Sequence, residues 1–220
     1  MNFPFELEPK IAAWLRQVSQ AGCAVGRVDP ISVLRKKDGE LLFALLDAAV
    51  RSSEGRLLPR YVFIRGDACV IVPLIRNRST GEEKFLMVRQ RRIGNGNLSL
   101  EFPAGMLDAE VDNPLGVATR EFIEETGLGI SASDLFPLFD KKLFSSVGAS
   151  DEGIFYFGCV LEVDDTIWHT LGTEIKGNSE EGEHIAVTLI SQEAAEAEAT
   201  SLQVVLGFYL FEAAKKKVVS

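Results

Sequence analysis

The sequence predicts an α/β protein: a small antiparallel β unit, then a larger domain of strands and helices. Three observations predict it. Apolar runs of strand length are separated by clusters of turn residues. Several segments carry apolar residues at helical spacing with start and stop signals. Strand runs and helical segments also occur together in the larger domain, with strands on both sides of one helical segment.

The first element is a helix over 9–21. Pro9 suits its first turn, Ile11, Trp14, Leu15 and Val18 share one face, and Gly22 can end it. Strands follow at 27–35 and 41–49, joined by Lys36-Lys37-Asp38-Gly39, where Asp-Gly between apolar runs marks a hairpin. A third strand, 60–65, comes after the turn cluster Ser52-Ser53-Glu54-Gly55. Together these form the small unit, and the domain organisation expected is 1–65 followed by 66–220.

The larger domain opens with a hairpin of strands 67–77 and 84–92 across a polar turn. The second strand ends in Arg89, Gln90, Arg91 and Arg92, just before Gly94-Asn95-Gly96-Asn97. Such a cluster is commonly a solvated strand end, but arginine's planar fork also suits phosphate. A helix is expected from Pro114 to Gly127. Asn113 can cap it, Pro114 needs no N–H at the first position, and Gly127 is a left-handed stop. Leu115, Ala118 and Phe122 give its apolar stripe. Strands are expected at 136–144 and 153–163, with a small-residue loop between them. Residues 164–183 read as loop and contain the acidic run Glu180-Glu181-Gly182-Glu183. A strand at 184–190 and helices at 191–198 and 201–217 complete the chain. The last helix is apolar nearly all round and is expected to be buried.

Composition excludes several classes. Apolar residues make up 46% and charged residues 25%, the balance of a soluble globular chain. No apolar run reaches the length of a membrane span, and the first residues lack a secretory signal's pattern. The net charge of −9 argues against nucleic acid and anionic membranes as partners. Three cysteines without a C-x-x-C pair point to a reducing, cytoplasmic setting.

The chemistry concentrates in Glu101–Leu128. Glu121, Glu124 and Glu125 sit at i, i+3, i+4, so they share one arc of the helix. Like charges at this spacing repel, and they lie toward the helix's negative end. A hard cation such as Mg²⁺ or Mn²⁺ removes both penalties. The ordinary alternative is a solvated acidic face.

The full string resembles the Nudix box, G-x5-E-x7-R-E-U-x-E-E-x-G-U with U apolar. Arg120-Glu121-Phe122-Ile123-Glu124-Glu125-Thr126-Gly127-Leu128 matches its second half throughout. The first half departs: Gly105 lies one residue too far upstream, and Glu110 and Asp112 compete for the first acidic position. Further segments resemble one branch, the ADP-sugar diphosphatases, the plant-type ADP-glucose diphosphatases above all and the ADP-ribose diphosphatases next. They are Arg65-Gly66, Gln90-x-Arg92, Glu101-Phe-Pro-Ala-Gly-Met-Leu-Asp, the same one-residue insertion, Gly148-Ala-Ser-Asp-Glu152, Gly182-Glu183-His-Ile-Ala-Val187 and Leu206-Gly-Phe-Tyr209.

This resemblance implies an α/β/α sandwich with a mixed sheet. It implies hydrolysis of an ADP-sugar to AMP and a sugar phosphate, with two to three Mg²⁺ or Mn²⁺ ions. Glu121 and Glu125 become central metal ligands, and Glu124 a ligand or a group bonded to one. The Ala104 carbonyl is a further ligand. Arg120 orients the glutamates. Arg92 and Arg65, with Glu101, belong to the substrate site. The general base is Glu181 or Glu183, with Glu152 a third candidate. The N-terminal sheet unit takes part in a homodimer. Two alternatives stay open: another substrate (a UDP-sugar, a dinucleoside polyphosphate, coenzyme A) or a non-catalytic ligand sensor.

Overall fold

In a computed structural model the described residues are 7–171, 175–176 and 185–219, with side chains for 7–171 and 185–216. The architecture is mixed α/β with a mixed sheet, as expected, and a three-stranded antiparallel sheet is present near the N-terminus. The chain divides into two compact units. One comprises residues 1–68, 106–114 and 142–154; the other comprises 69–105, 115–141 and 155–220. No described helix is long and apolar enough to cross a membrane.

In the first unit, helix α1 (Pro9–Gln20) begins on a proline and ends before Gly22, whose φ is +79°. Strands β1 (Ala24–Arg35), β2 (Leu41–Arg51) and β3 (Tyr61–Ile64) pair in that order, antiparallel. Gly39 turns the first hairpin at φ +93°, where a side chain would be strained. Ile11 and Trp14 of α1 pack with Leu41, Ala44, Leu46, Ala48, Val50 and Ile64. Alternation along β2 makes this possible, since residues two apart share a sheet face.

Lys10 is 2% exposed, and a buried ammonium needs partners. Its Nζ donates to the Leu42 carbonyl at 2.9 Å and pairs with Asp108 Oδ1 at 2.8 Å. Lys36 Nζ reaches Asp108 Oδ2 at 2.6 Å. These two ammonium groups hold Asp108 at a φ of +48°, unusual for a residue with a side chain.

In the second unit, strand β4 (Ala68–Asn77) is buried at every position but Arg76, the mark of a central strand covered on both faces. Strand β5 (Glu83–Arg91) follows it in a hairpin. Strand β6 (Leu98–Glu101) pairs with the end of β5, and β7 (Ala104–Met106) pairs with β4. Next come α2 (Pro114–Thr126), β8 (Phe136–Pro137), β9 (Leu143–Phe144, in the first unit) and β10 (Gly153–Val163). Helix α3 (Asp165–Thr170), β11 (Ile175–Lys176), β12 (Ile185–Ile190), α4 (Gln192–Glu198) and α5 (Leu202–Val219) close the chain. The strand order is β11-β12-β5-β4-β10-β8.

The span 136–144 is not one strand. It splits into β8 and β9, and Pro137, which has no N–H, stands at the break. Helix α5 is also not buried all round. Val204, Phe208, Leu210 and Phe211 are buried, while Leu202, Val205 and Tyr209 are 71%, 55% and 71% exposed.

The buried face of α5 enters an aromatic cluster. Phe208 meets Phe85 and Phe102 edge-on, each at 4.9 Å between ring centres, and Phe211 meets Phe85 at 5.4 Å. Gly207 lets the helix approach, because a Cβ there would lie 2.7 Å from Phe102 Cε2 and 3.2 Å from Val72 Cγ2. Gly207→Ala is therefore expected to cost about 1–3 kcal/mol through overpacking, although alanine favours helix, as read from the midpoint of urea unfolding.

Candidate active site

The second unit brings a backbone turn against two carboxylates. The turn is Pro103-Ala104-Gly105, and it is fixed from below. The Pro103 carbonyl accepts the Ile71 N–H at 2.8 Å, and the Cys69 thiol donates to the Gly105 carbonyl at 3.5 Å. Helix α2 supplies the carboxylates. Its Val117, Ala118 and Phe122 are fully buried, and Glu121 and Glu125 are half-buried on a neighbouring arc. Gly127 ends the helical run with a φ of +74°.

Two contacts define the clasp. The Ala104 N–H donates to Glu125 Oε2 at 3.3 Å. Gly105 lies so close to Glu121 that a Cβ there would stand 2.2 Å from its Cγ and 2.7 Å from its Oε1. Both carboxylates are felt at Cys69. Burial pushes that thiol up to about 12, the Gly105 hydrogen bond opposes the shift, and the charges of Glu121 and Glu125 reinforce it. Cys69 is thus a neutral donor under the turn.

This donor set fits a hard divalent cation, which takes carboxylate and carbonyl oxygens. Among the described residues no three Asp, Glu, His or Cys side chains converge as a ready cluster. The fit rests on the two carboxylates, Glu121 and Glu125. Glu124 and Arg120 are exposed on the same helix.

A model of the NUDIX domain matches residues 66–204, more than half of the chain. The chain belongs to the Nudix family. It is also 32% identical over 171 residues to "Nudix hydrolase 14, chloroplastic" of Arabidopsis thaliana, covering 74% of this chain and 54% of that protein. The chain therefore spans about half the length of the curated relative it matches. Nudix hydrolases generally use divalent ions such as Mg²⁺, in keeping with the oxygen donors at the clasp.

The other candidate residues of this Nudix chain fall into separate groups. In the second unit, exposed Arg92 meets Glu101 through both ends of its fork, Nε to Oε1 at 3.0 Å and Nη2 to Oε2 at 2.7 Å. In the first unit, Arg65 Nε lies 2.6 Å from Glu152 Oε1. That N–H is not aligned on the oxygen, so the contact is an ion pair and not a well-formed hydrogen bond. Ser145 Oγ donates to the other Glu152 oxygen, and the Arg65 guanidinium sits 5.6 Å above the Phe43 ring. Glu181 and Glu183 lie outside the described residues.

Sequence reasoning missed two supports. Cys69 reads as one more apolar residue of a buried strand, and nothing near it signals a bond to Gly105. Asp151 is 8% exposed, and its Oδ1 accepts the backbone N–H groups of Arg65 at 2.8 Å and Gly66 at 3.1 Å. Its position beside Glu152 is the one sequence signal that could have drawn attention to it.

Proposed function

We propose that the protein hydrolyses the diphosphate bond of an ADP-sugar, ADP-glucose or ADP-ribose, to AMP and a sugar phosphate. The observation that carries this reading is the clasp of the Pro-Ala-Gly turn on Glu121 and Glu125. The branch-level likeness of the surrounding segments supports the substrate class.

Two or three Mg²⁺ or Mn²⁺ ions, when bound, would neutralise phosphate oxygens and lower the pKa of an attacking water. Glu121, Glu125 and the Ala104 carbonyl would hold them, with Glu124 as a further ligand or a group bonded to one. Arg120 would orient the glutamates. Arg92 and Arg65 would bind the diphosphate through planar, bidentate contacts. Glu101 holds Arg92's fork in a fixed plane, which lowers the ordering cost of binding. Glu152 is already engaged by Arg65 and Ser145. This favours Glu181 or Glu183 as the base that takes the water's proton.

Residues 23–65 would form the homodimer contact. The exposed side chains of Leu45 and Phe63 stand at paired positions on β2 and β3. Exposed apolar area of this kind marks association surfaces.

The test is a product assay with Mg²⁺ and ADP-glucose, ADP-ribose, UDP-glucose and a dinucleoside polyphosphate, resolved by chromatography. AMP with glucose 1-phosphate or ribose 5-phosphate is the expected result. Intact ADP-sugars beside a cleaved UDP-glucose or dinucleoside polyphosphate would overturn the substrate class.

A further inference from the structure

The first unit contains a cleft of about 450 Å³ that the hydrolytic reading does not use. It lies among α1, β2, β3 and the segment 144–151. Its size is that of small-molecule sites. The walls are mainly apolar, and three aromatic side chains, Trp14, Tyr61 and Phe144, take part in them. A smaller cavity of about 10 Å³ shares Trp14, Gln17 and Asp151 with the cleft.

Asp151 gives the cleft its chemistry. The residue is more than nine-tenths buried, and both of its backbone donors bond to the same oxygen, Oδ1. Among the described residues no donor reaches Oδ2. Oδ2 is not among the sealed side-chain atoms that lack a partner, so it stays open to a donor, while burial of the rest of the side chain shifts this carboxyl upward. The cation on the lining, Arg60, is held by Asp47 through Nε at 2.9 Å and through Nη2. The cleft thus offers an acceptor and aromatic faces, and its arginine is already paired. A carboxylate acceptor beside aromatic faces suits a planar donor, which aromatic walls attract further when it is cationic.

We propose that this cleft binds a small planar aromatic molecule bearing an amino or amidino edge, which donates to Asp151 Oδ2. Binding there needs neither phosphate nor metal.

The test uses the full chain with benzamidine as probe and benzoate as its charge-reversed control. Cys23 lines the cleft and is half-exposed, whereas Cys69 and Cys159 are buried, so iodoacetamide reports on Cys23. Benzamidine is expected to slow Cys23 alkylation saturably, and benzoate is not. In Trp168→Phe, where Trp14 is the one remaining tryptophan, benzamidine is expected to change the emission with the same midpoint. Asp151→Asn keeps an oxygen for the two backbone donors and replaces the free one with NH₂, so the unit should fold. It is expected to weaken benzamidine by about ten-fold or more. Tyr61→Ala, on an exposed strand position, should weaken it several-fold. Absence of saturable protection, equal protection by benzoate, or unchanged affinity in both variants would overturn the proposal. Because no readout involves hydrolysis, failure here leaves the proposed diphosphatase reading untouched, and the converse also holds.

Discussion

Glu125→Gln is expected to leave the fold intact and to cut turnover of a nucleotide sugar by roughly 10²–10³-fold. The geometry separates the two effects. Glutamine has the same shape and keeps an oxygen for the Ala104 N–H, which now donates to Oε2 at 3.3 Å. The change also removes a like-charge pair with Glu121 at i, i+4, worth a few tenths of a kcal/mol. The melting temperature should therefore stay or rise slightly. What disappears is a negative oxygen facing the turn, the donor that a hard cation prefers. Steady-state kinetics beside a thermal melt reads both effects. Equal turnover in variant and parent would discard Glu125 as a ligand.

Gly105→Ala should be almost as damaging, for a purely steric reason. The added methyl would sit 2.2 Å from Glu121 Cγ and 2.3 Å from its Cδ, far inside contact distance. Either Glu121 leaves its place or the turn moves and loosens the Ala104 contact with Glu125. Overpacking of this kind costs about 1–3 kcal/mol. A displacement near 1 Å at a reacting centre costs on the order of 10²-fold in rate. The expected pattern is a modest fall in melting temperature with a large fall in kcat at saturating Mg²⁺. Full activity in Gly105→Ala would show that Glu121 does not need the position it holds against the turn.

The sequence made the helix and its carboxylates legible because their signals are local. Pro114 and Gly127 bracket α2, and the i, i+3, i+4 spacing puts three glutamates on one arc. The first hairpin was equally legible, since Asp38 and Gly39 specify a tight turn by themselves. Elements set by distant pairing were not. Strands β6 and β7 are four and three residues long and exist because β5 and β4 lie alongside them. Helix α3 hid in a stretch read as loop. Its cap, Asp164 accepting the Ile167 N–H at 2.9 Å, was present in the sequence but unread. The exposed stripe of Leu202, Val205 and Tyr209 also went unread, because apolar residues all round a helix do not say which arc the core will cover.

The same distinction holds at the site. Spacing shows that Glu121 and Glu125 are neighbours, but not that Gly105 lies against one and Ala104 bonds to the other. Those contacts depend on β7 pairing with β4 and on a thiol beneath the turn. The ion pair of Arg65 with Glu152 was equally hidden, because sequence assigned its two members to different tasks and brought nothing to join them.

The most direct test of the central claim, that the turn and α2 form a divalent-metal centre, is Mn²⁺ binding followed by electron paramagnetic resonance. Free Mn²⁺ signal would be titrated against the parent protein and the Glu121→Gln/Glu125→Gln double variant. The clasp predicts saturable loss of signal with the parent and little loss with the double variant at the same concentrations. Equal binding by both proteins would contradict it and place the metal elsewhere in the chain.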